Sequence, residues 1–244
     1  MKYIVIASLL LSMPFAVQAQ AQTEPAIPFL SGGVRGGLGS YVMSDINVVI
    51  QEINDVLLAA DFDELDRFGS GPLGGGELRL RLLPYLALSM TVDYLYQSSR
   101  VELMIVGGEF LEVELVGSAT PITARVLYVA KNSSNPNLVY TAGGGISYLW
   151  LGRYKETYPG EGTGSQLLLQ RTADGDALGF QVLAGAEYFV RPWLSVGGEL
   201  LYRYAKISEF TYNDNSEPVL MSNGESMSLD FSGFNVLACV RFHL

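Results

Sequence analysis

The sequence has little from which a disulfide, a catalytic centre or a nucleic-acid surface could be built. It contains one cysteine, Cys239, and one histidine, His243, so an internal disulfide is excluded. Its formal charge is −10 and only 16% of its residues are charged, which argues against binding to nucleic-acid phosphates. After the N-terminal stretch no run of about 18 apolar residues occurs, so we expect no transmembrane helix.

The N-terminus has the pattern of a secretory signal peptide. Lys2 gives a short basic start, residues 3–13 are largely apolar, and small residues at Ala19 and Ala21 fit a cleavage site. We therefore predict a signal peptide over residues 1–21, cleaved after Ala19 or Ala21, and one mature domain over 22–244. No cysteine lies near the cut, which excludes a lipoprotein anchor.

Apolar residues make up 49% of the chain, yet they are spread over short alternating segments that indicate β-strands. Tight turns at Pro84, Pro136 and Pro192 each precede a long alternating segment, and proline suits a turn because it lacks an N–H for the ladder. Tight turns then lie on one side and long loops on the other, at 44–73, 99–114, 154–176 and 211–226. The predicted strands are 31–43, 74–83, 87–98, 115–130, 138–153, 177–190, 194–210 and 227–244.

The parity of the alternation is the same in all eight predicted strands. Even positions are apolar, as in Val34, Leu80, Val92 and Val240, whereas odd positions carry the charges. An arginine facing lipid at mid-depth costs about 2–4 kcal/mol, so the even face must contact lipid and the odd face must be internal. A soluble sandwich or lipocalin-like barrel is disfavoured, because it would expose the leucines and valines at odd positions, Leu95, Val129, Leu149, Leu183, Leu201 and Leu237.

The last strand ends with apolar residues at every even position from Phe234 to Leu244. Together with the eight strands, this pattern resembles the small eight-stranded outer-membrane proteins: the OmpA transmembrane domain, OmpX, the opacity-type adhesins and, more loosely, OmpW. The resemblance implies an all-β, eight-stranded antiparallel up-and-down transmembrane barrel in the outer membrane. It also implies contact with outer-membrane lipid and lipopolysaccharide, and with periplasmic chaperones and the barrel-assembly machinery. The chain departs from the family in its long, helical first loop and in ending on Leu244 instead of Phe.

The odd positions predict a charge network inside the lumen. We expect nearby strands to supply the partners: Arg79 or Arg81 with Asp93, Arg125 with Glu187 across strand five, and Glu199 with Arg241. Inward glycines at 143 and 145 would leave room for long neighbours. Such a network predicts a plugged core, with a narrow or gated polar channel as the alternative. The expected members are Arg35, Glu77, Arg79, Arg81, Asp93, Arg125, Glu187, Glu199, Arg203 and Arg241.

Two further features lie at the ends of the predicted barrel. Residues 44–60 have helical periodicity, with Ser44 or Asp45 as the expected cap, and predict a short helix that closes the mouth, gates the lumen or binds a partner. Its apolar face comprises Ile46, Val49, Ile50, Ile53 and Leu57. The expected aromatic girdles comprise Tyr85, Tyr96, Trp150, Trp193, Tyr202 and Tyr204.

The sequence offers no positive sign of catalysis, a cofactor or a metal site. His243 is placed at the periplasmic end, away from the outer leaflet where a lipid hydrolase would act, and Cys239 has no nearby base. The acidic run at 61–66 lacks the glycine and final glutamate of an EF-hand. We therefore expect a non-enzymatic surface or structural protein with exposed acidic loops and an extracellular partner. The alternatives are an OmpW-like channel or transporter for small molecules and, third, a lipid-modifying enzyme.

Overall fold

The computed structural model describes residues 29–104, 110–159 and 168–244, which form one antiparallel barrel with a short helix. The predicted signal peptide lies outside the described residues and stays a prediction. In chain order the elements are β1 (Leu30–Ser40), α1 (Ser44–Ala59), β2 (Ser70–Leu83), β3 (Leu86–Met104), β4 (Phe110–Lys131), β5 (Leu138–Pro159), β6 (Leu168–Arg191), β7 (Leu194–Tyr204), β8 (Lys206–Ile207), β9 (Thr211–Tyr212), β10 (Leu229–Asp230) and β11 (Gly233–His243).

Eight of the described strands, β1 to β7 and β11, form a closed ring. Each pairs antiparallel with its neighbours along the chain, and β11 closes the ring by pairing with β1, where Val34 lies opposite Val240. The short strands β8, β9 and β10 lie in the connection between β7 and β11. This confirms the predicted up-and-down barrel, and closure leaves the eight-stranded ring no free edge.

Side chains alternate between the outside of the ring and its interior, as the even–odd pattern predicts. Ile146 and Leu178 on the outside are 68% and 72% exposed, whereas Leu95, Leu149 and Leu201 inside are at most 1% exposed. Because every backbone group must be paired in a lipid core, a closed barrel with an apolar outer face is one of the two structures that can span it. The outer face therefore contacts the membrane.

The strands differ in length in a way that the sequence prediction missed. The connections at one end are short, such as those between β2 and β3 and between β6 and β7, as predicted. At the other end β3–β4 and β5–β6 continue as paired hairpins, with Glu102 opposite Glu112 and Thr157 opposite Gln170. The predicted long loops 99–114 and 154–176 are thus wrong over most of their length, and an extended sheet rises above the membrane there.

Helix α1 begins and ends within one residue of its predicted bounds, but its cap differs from the prediction. The residue before it, Met43, has φ 46° and makes no side-chain capping bond, so neither Ser44 nor Asp45 caps the helix. The Asp45 carboxylate instead accepts a hydrogen bond from Ser228 across the barrel mouth. No helix in the described part of the chain is long and apolar enough to cross a membrane.

The six predicted girdle aromatics lie on the outer face or at the turns, but Tyr96 and Trp150 lie well inside the long strands β3 and β5 and not at their ends. Tyr85 and Trp193 are at the short turns, and Trp193 stacks on Phe242 with ring centres 6.2 Å apart. At the other end Tyr204 stacks on Phe180 at 5.2 Å. The remaining three also lie on the outer face, at Tyr96, Trp150 and Tyr202. Rings at both ends of an apolar band match the two membrane interfaces.

Candidate functional site

Buried charges fill the lumen at mid-height and connect opposite walls of the barrel. Arg35 on β1 donates from Nε to Asp93 on β3 at 2.8 Å and from Nη1 to Glu199 on β7 at 3.1 Å. Every member is at most 8% exposed. We call this group the ion cluster: Arg35, Glu77, Arg79, Asp93, Arg125, Glu187, Glu199, Arg203 and Arg241.

Glu77 is the centre of the ion cluster. Its carboxylate accepts hydrogen bonds from Arg125 at 2.6 Å, from Arg241 at 2.7 Å and from Arg79 at 3.1 Å. The Ser89 hydroxyl also donates to it, at 2.7 Å. These arginines come from three different strands, so one carboxylate links β2, β4 and β11 through the lumen.

The predicted pairing between neighbouring strands is wrong in two cases out of three. Arg79 pairs with Glu77 and Glu187 instead of Asp93, and Arg125 pairs with Glu77 and Glu199 instead of Glu187. The third pair is present, because Nη2 of Arg241 donates to Glu199. The long arginine side chains reach across the lumen instead of to the next strand.

One of the predicted network residues, Arg81, has different surroundings from the rest. Arg81 lies at the periplasmic end, half-buried, and donates to the carbonyl oxygen of Pro84 in the turn.

Among the described barrel strands, β5 alone contributes no charge to the cluster. Instead it places Gly145 opposite Arg125, which leaves that guanidinium the room predicted from the glycines.

At the extracellular end an apolar layer closes the lumen. Ile46 and Ile50 of α1 are wholly buried, together with Leu229 and Phe231 from the segment before β11. Phe68 and Leu229 lie over the inward face of Gly117 on β4, which places this layer inside the mouth. We call it the lid: Met43, Ile46, Ile50, Leu57, Leu65, Phe68, Ile207, Phe210, Leu229 and Phe231.

Two asparagines that the sequence analysis did not single out fasten α1 to the chain that follows it. The Asn54 amide donates to the Leu65 carbonyl at 3.0 Å and accepts from the Leu65 N–H at 2.7 Å. Asn47 makes the same two bonds with Phe68, at 2.6 and 2.7 Å. The seven-residue spacing of two amides on one helix face is a signal that could have found them.

The predicted apolar face of α1 divides between two surroundings. Ile46, Ile50 and Leu57 pack into the lid, whereas Val49 and Ile53 are half-buried. The latter two, with Val56, face a groove of about 470 Å³ between the helix and the β4–β5 sheet. On the sheet side the groove is lined mainly by Val113, Leu115 and Tyr154.

At the periplasmic end His243 contacts a serine and a glutamate. Its Nε2 lies 2.8 Å from Ser195 Oγ and 3.1 Å from Glu187 Oε1, and Ser195 Oγ also donates to Glu187. A catalytic triad needs the serine and the carboxylate on different ring nitrogens, and a serine that substrate can reach. Here one nitrogen meets both, and Ser195 is wholly buried, so the arrangement serves as a hydrogen-bonded closure of the ion cluster.

The acidic residues do not assemble a metal site where the structure describes them. Within the described ranges no group of three or more Asp, Glu, His or Cys side chains is arranged to hold a metal ion. Asp61, Asp63, Glu64 and Asp66 lie exposed on the connection from α1 to β2.

Taken together, the closed ring, the apolar outer face and the charged interior describe a protein that spans an outer membrane. A family model for the outer membrane protein beta-barrel domain matches residues 7–242. The chain belongs to this family. The protein is therefore an outer-membrane barrel, and lipid surrounds it. No curated protein matches the sequence significantly.

Three solved structures are similar to this outer-membrane barrel in chain path. OprG from Pseudomonas aeruginosa has a TM-score of 0.49 and 11% identity, with 89% of this chain and 97% of that one covered. Neisserial surface protein A has a TM-score of 0.41 and 15% identity, with 88% and 97% covered. Ail, the attachment invasion locus protein of Yersinia pestis, has a TM-score of 0.37 and 8% identity, with 88% and 97% covered. At these values the likeness carries no functional inference.

Proposed function

We propose that the protein is a non-enzymatic outer-membrane barrel that works at the cell surface through its extracellular part. Solutes do not pass through the lumen, because two successive barriers fill it. The ion cluster links opposite walls at mid-height, and the lid closes the extracellular mouth. The observation that carries the proposal is the burial of nine cross-linked charges at mid-lumen, since buried charges are stable only when paired.

The extracellular part is built from ordered elements, the outer ends of β3 to β6 and helix α1, which we call the platform. Strands β3 to β6 continue beyond the barrel as paired hairpins, and α1 is held to the connection that follows it by Asn47 and Asn54. Exposed ion pairs such as Arg100–Glu102 and Arg153–Asp174 lie on its surface. A partner would meet ordered strands and a fixed helix, and binding to such preorganised elements costs little ordering entropy.

Planar-bilayer recording tests the closed lumen. The purified full chain should give no steady single-channel conductance, and deletion of residues 44–66 should not create one, because the ion cluster remains below the removed helix. Steady conductance from the intact protein contradicts the proposal. Folding of both forms is checked by their altered gel mobility before and after heating.

Binding to whole cells, matrix or polysaccharide tests the surface role. Exchange of residues 99–114 and 160–167 for short turns should abolish binding while the barrel still folds. A control exchange at the periplasmic turn 132–137 should leave binding unchanged. Equal binding by the parent, the extracellular exchange and the periplasmic-turn exchange would place the interaction on the barrel wall and overturn the role of the platform.

The groove beside α1 favours a second candidate function, the uptake of a small apolar molecule. Its walls are nearly all hydrocarbon, and about 470 Å³ falls within the range of small-molecule pockets. Glu52 and Glu156 lie at its edge, so a neutral or cationic compound fits better than a fatty-acid anion.

A fluorescent apolar probe, 1-N-phenylnaphthylamine, separates this candidate from the first. Binding should be lost in Ile53→Asn, whose side chain faces the groove, and kept in Val48→Asn, which is exposed on another face of the same helix. Uptake of the probe by cells must fall in the same variant for transport to hold. Binding without uptake leaves the groove a surface feature.

A further inference from the structure

Buried polar groups without partners lie between the ion cluster and the lid. Arg203 is wholly buried, and its Nη2 donates to Asp93 at 3.1 Å, but its Nε and Nη1 have no partner among the described residues. The side-chain amides of Gln97 and Gln181 also have none, nor do the Tyr41 hydroxyl and Asn235 Oδ1. We call these five residues the polar belt: Tyr41, Gln97, Gln181, Arg203 and Asn235.

The strand register brings the polar belt around one level of the lumen. Gln181 on β6 lies directly opposite Arg203 on β7, and cross-strand neighbours in this arrangement have Cβ atoms about 5 Å apart. On the other side of Arg203, Gly233 is its partner on β11, and Asn235 follows two residues later on the same face. Tyr41 lies within electrostatic reach of Arg203.

A pair of glycines makes the space that the belt occupies. Gly39 on β1 and Gly71 on β2 are directly opposite each other. A Cβ at Gly39 would collide with both the Tyr41 hydroxyl and Asn235 Oδ1, and one at Gly71 would come within 2.9 Å of Gln97 Cγ. The polar ends of three belt residues thus fold inward over backbone that carries no side chain.

The charge balance of the lumen is uneven at the same place. The ion cluster has five guanidinium groups and four carboxylates, so one positive charge is in excess. Glu77, Glu187 and Glu199 lie among Arg79, Arg125 and Arg241. Asp93 is shared by Arg35, which also reaches Glu199, and by Arg203, which has no other carboxylate partner among the described residues. Asp93 is held by Arg35 through two bonds and by Arg203 through one, so Arg203 is the least compensated.

We propose that the polar belt binds a monovalent anion of halide size against the guanidinium of Arg203. Water alone satisfies the N–H donors, but the one buried positive charge in excess also requires a counter-charge. Nε and Nη1 of Arg203 and the amide groups of Gln181 and Gln97 supply donors, and the lid above them excludes bulk solvent. The site thus completes the charge balance of the barrel core.

Salt-dependent unfolding tests this site in the full chain in detergent. The apparent unfolding temperature, at one heating rate and one ionic strength, should be several degrees higher in bromide than in gluconate, which is too large to enter. Gln181→Glu places a carboxylate opposite Arg203, so this variant should lose the difference and be as stable in gluconate as the parent is in bromide. Arg153→Gln, which changes an exposed arginine paired with Asp174 at 3.0 Å, should keep the difference.

Crystals grown in bromide provide the direct readout. An anomalous peak is expected within hydrogen-bond distance of the Arg203 guanidinium. Three results each overturn the proposal and leave water as the occupant. They are unfolding that is the same in both salts, a bromide effect retained in Gln181→Glu, and an anomalous map of the bromide-grown crystals without a peak at Arg203. Where Gln181→Glu does not fold, the anomalous map of the parent protein decides.

Discussion

The carboxylate of Glu77 on β2 accepts a hydrogen bond from Nη2 of Arg125 on β4 at 2.6 Å, across the strand that separates them in the ring. Neither side chain is more than 2% exposed. This contact skips β3 entirely, so the ion cluster ties together strands that share no backbone hydrogen bonds. The cluster therefore resists both flattening of the barrel and separation of any two neighbouring strands.

Neutralising Glu77 should be the most disruptive single change in the lumen. In Glu77→Gln three arginines lose their shared anion, and breaking a buried pair in this way costs about 3–5 kcal/mol. Chemical unfolding in lipid vesicles, followed by Trp150 and Trp193 fluorescence, measures the loss. The control Glu102→Gln removes an exposed pair with Arg100 and should change stability by less than about 1 kcal/mol. Equal effects of the two changes would contradict the structural role of the cluster.

Gly145 should not tolerate even one added methyl group. A Cβ there would overlap the Ala124 carbonyl oxygen and lie 2.8 Å from Cα of Arg125, so β4 and β5 would have to separate. We expect Gly145→Ala to destabilise the barrel by about 1–3 kcal/mol in the same unfolding assay. Gly69→Ala is the matched control, because nothing lies within 4 Å of the added atom. A neutral Gly145→Ala would show that the two strands are less closely packed.

Asn54→Ala should loosen the lid without unfolding the barrel. The change removes both hydrogen bonds to Leu65 and leaves the buried backbone N–H and carbonyl of Leu65 without partners. We expect the lid to lose about 1–3 kcal/mol of stability. Faster amide exchange and faster proteolysis are expected over 44–68, with β1 and β11 unchanged. The control Val48→Ala, whose side chain is 51% exposed on the same helix, should leave both rates near those of the parent. Uniform acceleration over all strands would instead indicate global destabilisation.

The sidedness of the barrel can be measured with one charge on each of two exposed leucines. Leu78 on β2 is 62% exposed on the outer face, and Leu78→Arg should cost about 2–4 kcal/mol in lipid. Leu220, in the extracellular connection before β11, is 53% exposed, and Leu220→Arg should be nearly neutral because water reaches it. Similar stability of both variants in lipid vesicles would argue against lipid contact at Leu78.

Much of the barrel could be predicted because its pattern is local. Alternation with period two decides which face of a strand each residue joins, so Val34, Leu78 and Val240 could be placed outside and Arg35, Glu77 and Arg241 inside. Prolines at 84, 136 and 192 marked the short turns, since proline cannot donate to a ladder. The helical period of residues 44–60 likewise predicted α1.

Tertiary structure alone decided which of these residues meet. A guanidinium reaches across the lumen, so its partner depends on the stagger of strands far apart in sequence, and Arg125 met Glu77 and Glu199 instead of Glu187. Segments that are not adjacent in sequence also form the extracellular hairpins, the hydrogen bonds of Asn54 with Leu65 and the contact of His243 with Ser195. Local periodicity fixes the face of each side chain, whereas ring closure and stagger fix its height and its neighbours.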